Sequence, residues 1–594
     1  MVKVGLPANA QLRLGLLAIV VGIVAGVGAW IFRMLIALSH NLAFYHTFNL
    51  SYDANLHSEA SPLGAWIILS PVAGAIVVAF LVKTFAPEAK GHGVPEVIDA
   101  IYYNKSIIRP VVAAVKALAS SISIGTGGAV GREGPIIQIG AAFGSTLGQI
   151  IPMKEWQRMV LVASGVGAGI AATFNTPLGG ILFAIELMLV EISARTLVPV
   201  ALATGAATFI GRLFFGASPS FDIPELAHAT STIMTPYMFL IYIIFGCVLG
   251  LAAMIFSHAL YKAEDIFDRM PGNYYTRHMT GMLLVGILMY VMMEQLGHYY
   301  IQGVGYATIQ DILVGALSNP ALLALLFVGK ILANALTIGS GGSGGIFSPS
   351  LFLGATLGAA FGVAANSLFP GLGINPAHFA IIGMAAIVGA GTGAVITAIV
   401  MIFEMTRNYD VIVPLIITVS IAYGMRRYLM RDSIYIYKLV LRGHYIPDSL
   451  GTNMFMLRPV EDFLETSCLF PTKEGQTIRD IRKELKDKTT APYVLLTDGT
   501  QVKSVLYAVK RRFIDTKGHR HSTIRKHMTS HFIVTSKNDI IFDVVAKLRT
   551  AHCKIALVTS DGKLDQPDEV IGALSLDDIA HTSHLAKYII ASKK

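Results

Sequence analysis

Long apolar stretches alternate along most of this chain with short breaks rich in glycine and proline. "LGLLAIVVGIVAGVGAWIF" (Leu14–Phe32), "MFLIYIIFGCVLGLAAMIF" (Met238–Phe256) and "MLLVGILMYVMM" (Met282–Met293) are examples. A helix needs about 20 such residues to cross the hydrocarbon of a bilayer. Only helices or closed barrels satisfy their backbone polar groups there. The pattern therefore predicts a polytopic α-helical membrane protein. It ends near Arg442. Gly443–Phe455 ("GHYIPDSLGTNMF") reads as a linker, and residues 456–594 return to ordinary soluble patterning. The chain thus divides into a membrane domain, 1–442, and a water-exposed domain.

The membrane domain repeats itself. "SIGTGGAVGREGPIIQIGAAFGSTLG" (Ser123–Gly148) aligns with "TIGSGGSGGIFSPSLFLGATLG" (Thr337–Gly358) at one constant spacing. Further on, "FAIEL" (Phe183–Leu187) aligns with "MIFEM" (Met401–Met405), pairing Glu186 with Glu404. We place repeat one at about 60–215 and repeat two at about 233–430, and expect them to be inverted. Transporters built this way bind substrate near the bilayer midplane, between broken helices. The tail repeats too. "TIRDIRKEL" (Thr477–Leu485) matches "DIIFDVVAKL" (Asp539–Leu548), and "VLLTDG" (Val494–Gly499) matches "LVTSDG" (Leu557–Gly562). Each unit reads as amphipathic helix, strand, tight Asp-Gly turn and strand.

Composition sharpens this picture at a few points. Of 594 residues, 54% are hydrophobic and only 14% charged, against about 25% charged in soluble proteins. The first apolar run is too long for a cleaved signal peptide, and no small-residue cleavage site follows it. Cys247, Cys468 and Cys553 are scattered, with neither a disulfide framework nor metal-ligand spacing. The net charge of +9 reads as positive-inside bias plus a basic tail, with no aromatic-interleaved basic patch for nucleic acid.

The chemistry lies in the glycine-rich breaks. "IGTGGAVGREGP" (Ile124–Pro135) places Arg132 and Glu133 at membrane depth, next to a proline suited to a first helical turn. Free N–H groups and the helix dipole make such a start attractive to anions, and glycines allow close approach. Close helix packing also uses glycine in membranes, but two matching loops favour a shared anion site. An isolated carboxylate at that depth is expensive and marks function.

"GREGP" (Gly131–Pro135), "GGIFSP" (Gly344–Pro349) and "GHGVPE" (Gly91–Glu96), with "DSIY" (Asp432–Tyr435), resemble the signature segments of the CLC family of chloride channels and chloride/proton exchangers. The resemblance covers nearly the whole chain. It implies a homodimer in membrane lipid, with one pore per subunit formed by an inverted repeat of tilted, partly broken helices. It also implies that the amides of Ile346 and Phe347 and the Tyr435 hydroxyl hold a central chloride, with the His92, Gly93 and Val94 loop beside them. The amides around Arg132, Glu133 and Gly134 line an outer site. On the same resemblance Glu133 would be the gate, its carboxylate having to lose its charge or move before an anion enters. A structural Glu133–Arg132 pair is the bland alternative. No cofactor is required. Chloride is the bound ion, with similar small anions and protons as the other transported species.

Two residues depart from the family pattern. His92 stands where serine is usual. Either its ring donates N–H to chloride and, titrating near neutral pH, makes transport acid-sensitive, or the ring turns away and backbone amides serve. Leu187 stands where many proton-coupled members carry a second, inner glutamate. This inclines the reading toward a channel-like or weakly coupled pathway. The alternative is a chloride/proton antiporter with an unconventional inner proton path through His92. Glu186 and Glu404 read as structural, and Glu96 and Asp99 as first-turn acids. Lys116 either raises the local potential or snorkels to an interface.

The tail resembles a pair of CBS domains (about 456–515 and 524–588), expected on the cytoplasmic side of a cell or inner membrane. Ser575 and Asp578 fit that family's adenine-nucleotide positions, whereas Tyr507 and Lys510 leave the first unit degenerate. A structural or dimerising tail is the competing reading. Two other classes fare worse. A CBS-containing cation channel would need acidic pore ligands. An enzyme would need a nucleophile–base constellation, an HExxH motif or a P-loop, and none is present.

Overall fold

The computed structural model describes residues 8–189, 192–221, 236–444, 446, 458–466, 469–472, 493–497, 502–507, 529–576 and 578–579. These fall into two compact units dividing between Ile446 and Pro447. Among the described residues, nine helices are long and apolar enough to cross a membrane.

Among the described residues the first unit holds seventeen α-helices. They are α1 (Ala8–Tyr45), α2 (Leu69–Phe85), α3 (Val94–Tyr103), α4 (Val111–Gly125), α5 (Glu133–Ile150), α6 (Glu155–Phe174), α7 (Pro177–Phe183) and α8 (Ala194–Phe215), then α9 (Pro236–Arg269), α10 (Tyr274–Leu296), α11 (Tyr306–Leu313), α12 (Pro320–Gly339), α13 (Phe347–Leu368), α14 (Pro376–Thr392), α15 (Val395–Thr406) and α16 (Ile412–Leu429), and last α17 (Ile434–Leu441). The order from α1 to α8 recurs from α9 to α16. Helix α1, outside the 60–215 read as repeat one, packs on α4, α6 and α8 as α9 packs on α12, α14 and α16.

Glycines make the tightest contacts. A Cβ on Gly144 would drive into the Leu161 backbone between α5 and α6, and one on Gly358 into the Phe379 backbone between α13 and α14. Helices in lipid gain little from hydrophobicity against one another, so close van der Waals approach of small residues holds them together. The packing role of glycine thus applies to the helix bodies, and it extends to the loops ahead of α5 and α13, where a Cβ on Gly128 would meet the Ser123 carbonyl and one on Gly344 the Val130 side chain.

Several helices are too short to span. Helices α3, α4, α7, α11 and α15 begin or end within the protein, where their terminal N–H and C=O groups need partners. Two of these ends are satisfied by exchange. Glu404, on α15, accepts from the amides of Leu178 (3.1 Å) and Gly179 (2.7 Å) at the start of α7. Glu186 lies in a π-turn that continues α7, and accepts from the amides of Ile396 (3.0 Å) and Thr397 (2.8 Å) at the start of α15. Each carboxylate caps the other repeat's helix, as expected of two structural glutamates.

Among the described residues the second unit contains two three-stranded sheets, β1 (Leu469–Thr472), β2 (Tyr493–Thr497) and β3 (Val502–Tyr507), then β4 (Ile533–Ser536), β5 (Ile555–Thr559) and β6 (Gly572–Ser575). In each sheet the first pair is parallel and the second antiparallel. This is a tandem repeat of one strand pattern. Helix α18 (Ile541–Thr550) joins β4 to β5, burying Ile541, Val544 and Leu548. The matching segment 477–485, Lys510, Cys468 and, of the linker 443–455, residues 445 and 447–455 lie outside the described residues.

Candidate functional site

Three turns meet at the centre of the first unit, each opening a helix. Gly131 and Gly345 exchange two backbone hydrogen bonds, of 2.7 and 2.6 Å, so the starts of α5 and α13 face each other. The Gly91 amide donates to Gly342 (2.9 Å) and its carbonyl accepts from Gly344 (3.3 Å), which ties the turn into α3 to the same place. Gly134 must lack a side chain, because a Cβ there would strike the His92 carbonyl. Gly93 sits at φ +84° immediately before α3, a backbone that suits glycine. Three helix N-termini therefore present amides and the positive ends of their dipoles to one buried locus.

Two buried lysines brace this arrangement. Lys116 donates to the carbonyls of Ala89 (3.0 Å) and Gly91 (2.7 Å). Lys330, at the equivalent point of repeat two, donates to Ile301 and Gly303, both at 2.8 Å. Lys116 is fully buried, so it does not snorkel to an interface. It holds the turn that carries His92.

The carboxylate of Glu133 is buried at the first position of α5. Its Oε1 accepts from the Tyr306 hydroxyl and from Ser348 Oγ, both at 2.5 Å, and its Oε2 accepts from the Ser348 amide (3.2 Å). The side chain thus occupies the mouth of α13, where an anion would be received. Among the described residues it makes no ion pair with Arg132, whose guanidinium lies 5.0 Å from the centroid of the Tyr306 ring. Tyr306 and Ser348 were not singled out from sequence as partners of Glu133. A signal for Tyr306 existed, since Gly303-Val304-Gly305 before α11 repeats the Gly91-His92-Gly93 pattern before α3.

Ile346 and Phe347 lie at the first turn of α13, where amides lack intrahelical acceptors. Tyr435 is the second residue of α17 and is buried. The His92 ring packs 5.6 Å, centroid to centroid, from Tyr435. His92 Nε2 lies 3.5 Å from the Tyr261 hydroxyl, which donates to the Ile434 carbonyl. His92 Nδ1 is buried without a partner among the described residues. His92, Gly93, Val94, Ile346, Phe347 and Tyr435 are therefore brought together, with Arg132, Glu133 and Gly134 beside them. Among the described residues no cluster suited to a metal ion occurs.

Near this locus, Lys438 pairs with Glu264 (3.1 Å), Arg442 with Glu96 (2.6 Å) and His444 with Asp99 (2.5 Å). Glu96 and Asp99 thus tie α3 to the end of α17, beyond any interaction with their own helix dipole. In the second unit Asp578 Oδ2 accepts from the amide (3.0 Å) and hydroxyl (2.8 Å) of Ser575, and the Asp578 amide donates back to Ser575 Oγ (3.2 Å).

Comparison with known proteins adds a family to this geometry. Residues 74–427 match the family described as voltage gated chloride channel. The chain is 37% identical over 376 residues to the H(+)/Cl(-) exchange transporter ClcA of Vibrio parahaemolyticus, covering 61% of this chain and 77% of that protein. Among solved structures it resembles a slow cyanobacterial Cl-/H+ antiporter, with a TM-score of 0.61 and 26% identity over 72% of this chain and 98% of the other. It shares its fold with a eukaryotic CLC transporter, with a TM-score of 0.60 and 20% identity over 96% of this chain and 98% of that one.

Proposed function

The chain belongs to the voltage-gated chloride channel family, and on that premise we propose that it exchanges chloride and similar small anions for protons, with Glu133 as the gate. The observation that carries this reading is the placement of the Glu133 carboxylate on donors of Tyr306 and Ser348 at the start of α13. A carboxylate there competes directly with an anion. It yields the position either by accepting a proton, which weakens its hold on O–H and N–H donors, or by swinging away. The amides of Ile346 and Phe347, the Tyr435 hydroxyl and His92 then receive the next anion inward. With its Nδ1 lacking a partner among the described residues, His92 has one ring nitrogen available to an anion.

Exchange displaces the channel-like reading as the leading one, because the relatives reported above are named as exchangers or antiporters. The uncoupled reading keeps one support, Leu187 in place of an inner carboxylate. The tail reads as a CBS pair on the cytoplasmic side. Supporting this are its tandem β-β-β pattern and the basic residues Arg427 and Arg431 at the end of α16. Ser575 and Asp578 stand where an adenine nucleotide would be contacted, and the working assembly is a homodimer.

The test uses the full chain in liposomes under a chloride gradient, with chloride efflux and external pH recorded together. Uphill proton movement in fixed ratio to chloride supports exchange. Chloride flux without protons selects the uncoupled reading. Glu133→Gln should abolish proton movement and retain chloride flux, and a variant that keeps both would remove Glu133 from the gate.

A further inference from the structure

A polar cavity opens beside the gate and is lined by Tyr52, His57, Ser58, Tyr300, Gln302 and Tyr306. One wall is therefore the same tyrosine whose hydroxyl donates to Glu133. The cavity belongs to the segment joining α1 to α2 and the turn between α10 and α11. Because α2 crosses the membrane, this segment lies on the face opposite the turn that carries His92. Polar side chains supply part of the wall, beside the apolar Ala54, Leu56 and Ala307. Gln302 Nε2 donates to Ser58 Oγ (3.0 Å), while Gln302 Oε1 is buried without a partner among the described residues. Ser58 Oγ in turn lies 3.1 Å from His40 Nε2. Polar walls with unmet hydrogen bonds are where ordered water resides.

His57 holds a defined position in this wall. Its Nε2 lies 2.8 Å from Asp311 Oδ2, and its ring stacks on His298 with centroids 4.3 Å apart. The imidazole is 16% exposed, sheltered but reachable from solution. Asp311 faces it from α11, His298 and Tyr300 from the α10–α11 turn, and His40 from α1 through Ser58. Arg33, Asp53 and Arg132 act on the Tyr52 and Tyr306 side of the cavity. Burial lowers the proton affinity of His57. The Asp311 hydrogen bond and charge oppose this and His298 adds to it, which leaves the ring below the ordinary histidine value. It is neutral at neutral pH and takes a proton on acidification.

We propose that His57 is a proton-relay residue that loads and unloads the Glu133 carboxyl through Tyr306 from this face of the membrane. The imidazolium releases its proton into the cavity. The Tyr306 oxygen receives a proton as its own phenolic proton passes to Glu133 Oε1, leaving a neutral carboxylic acid and an unchanged tyrosine. Unloading is the reverse. Asp311 and His298 are positioning residues that set the ring's orientation and affinity. The inference rests on the reading that Glu133 is protonated during transport, and it names the group that exchanges that proton with solution.

The experiment uses the full chain in planar bilayers, with pH and buffer strength set separately on each face. In weak buffer, His57→Gln should lower proton flux about tenfold, less than the ~100-fold or more of a positioned proton-transfer group because water still enters. Concentrated imidazole on the cavity face alone should restore it, and should do nothing for Tyr306→Phe. Asp311→Asn should lower flux in the same direction and serves if the His57 variant fails to fold. Unchanged proton flux in His57→Gln, or a loss that imidazole on that face does not relieve, overturns the proposal. If the wild type moves chloride without protons, exchange fails as a reading and the relay is judged on acid activation of chloride flux. After a pH jump on the cavity face, activation should then be slower in His57→Gln, and equal rates overturn it.

Discussion

Replacing Ser348 with alanine isolates one of the contacts that seat the gate. The substitution removes the hydroxyl that donates 2.5 Å to Glu133 Oε1 and keeps the backbone amide that donates 3.2 Å to Oε2. A hydrogen bond to a charged group contributes about 1.5–3 kcal/mol. The Tyr306 hydroxyl, 2.9 Å from Ser348 Oγ, remains on the same carboxylate oxygen and softens the loss. The lower end, about 1.5 kcal/mol, is then the better figure and corresponds to roughly tenfold in an equilibrium constant. Carboxylate and anion compete for one position. Weakening the carboxylate should therefore raise the apparent chloride affinity of transport by about that factor at neutral pH. The assay is the chloride dependence of initial efflux from liposomes, in the wild-type and Glu133→Gln backgrounds. With no charge to displace, Ser348→Ala should add nothing in Glu133→Gln. An unchanged affinity in the single variant, or an equal shift in both backgrounds, would refute the seating described here.

Three further outcomes follow from the geometry. Lys330→Met strands the carbonyls of Ile301 and Gly303, at ~1–3 kcal/mol each less the relief of a buried charge; it should lower the melting temperature in detergent and loosen the Gly303–Gly305 turn that aims Tyr306, shifting chloride affinity in the same direction as Ser348→Ala. Glu404→Gln turns an amide toward the N–H groups that start α7 and should destabilise the protein by about 1.5–3 kcal/mol in thermal denaturation, with Glu186→Gln matching it at α15; unaltered melting in both would deny the exchanged caps. In the second unit, burial pushes the Asp539 carboxyl up, but hydrogen bonds from Lys547 (2.8 Å) and Thr535 (2.6 Å) and the Lys547 charge outweigh it and hold the group below the ordinary carboxylate range. Its stabilisation, ~0.5–1 kcal/mol for a partly exposed pair, is present above the unfolded carboxylate value and lost as pH falls through the lowered one; hydrogen exchange at β4 and α18 in the full chain should show this acid-side loss, and Asp539→Asn should flatten it.

The glycine-rich turns were readable in sequence because each requires a particular backbone and because they recur at constant spacing. Gly131 and Gly345, found by that spacing, pair with each other across the site. The seat of Glu133 was not readable in the same way. Tyr306 and Ser348 reach the carboxylate from α11 and α13, and only the fold brings those elements to α5. Lys116 posed a related difficulty. A cation in an apolar helix is consistent with snorkelling until its two carbonyl partners are placed. The structural role of Glu186 and Glu404 was legible from their equivalence, but their exchange was not, since a repeat in sequence does not say whether its copies contact themselves or each other. In the tail the strands were legible from alternation, and β2 and β5 fall on the two matched segments; Asp498 and Gly499 lie outside the described residues, and Asp561-Gly562 opens a longer connection, with a 3-10 turn at Pro567–Glu569, before β6.

The exchanged caps also bear on how the protein is made. Synthesis delivers α7 long before residue 404, so the start of α7 waits for its carboxylate until α15 exists. The first half emerging from the ribosome is thus chemically unfinished at that end, and neither half contains the acid that completes its own helix. Two copies of one half, meeting face to face, would supply each other with that acid by symmetry. A single chain that duplicates the half and joins the copies keeps the same handshake within one polypeptide.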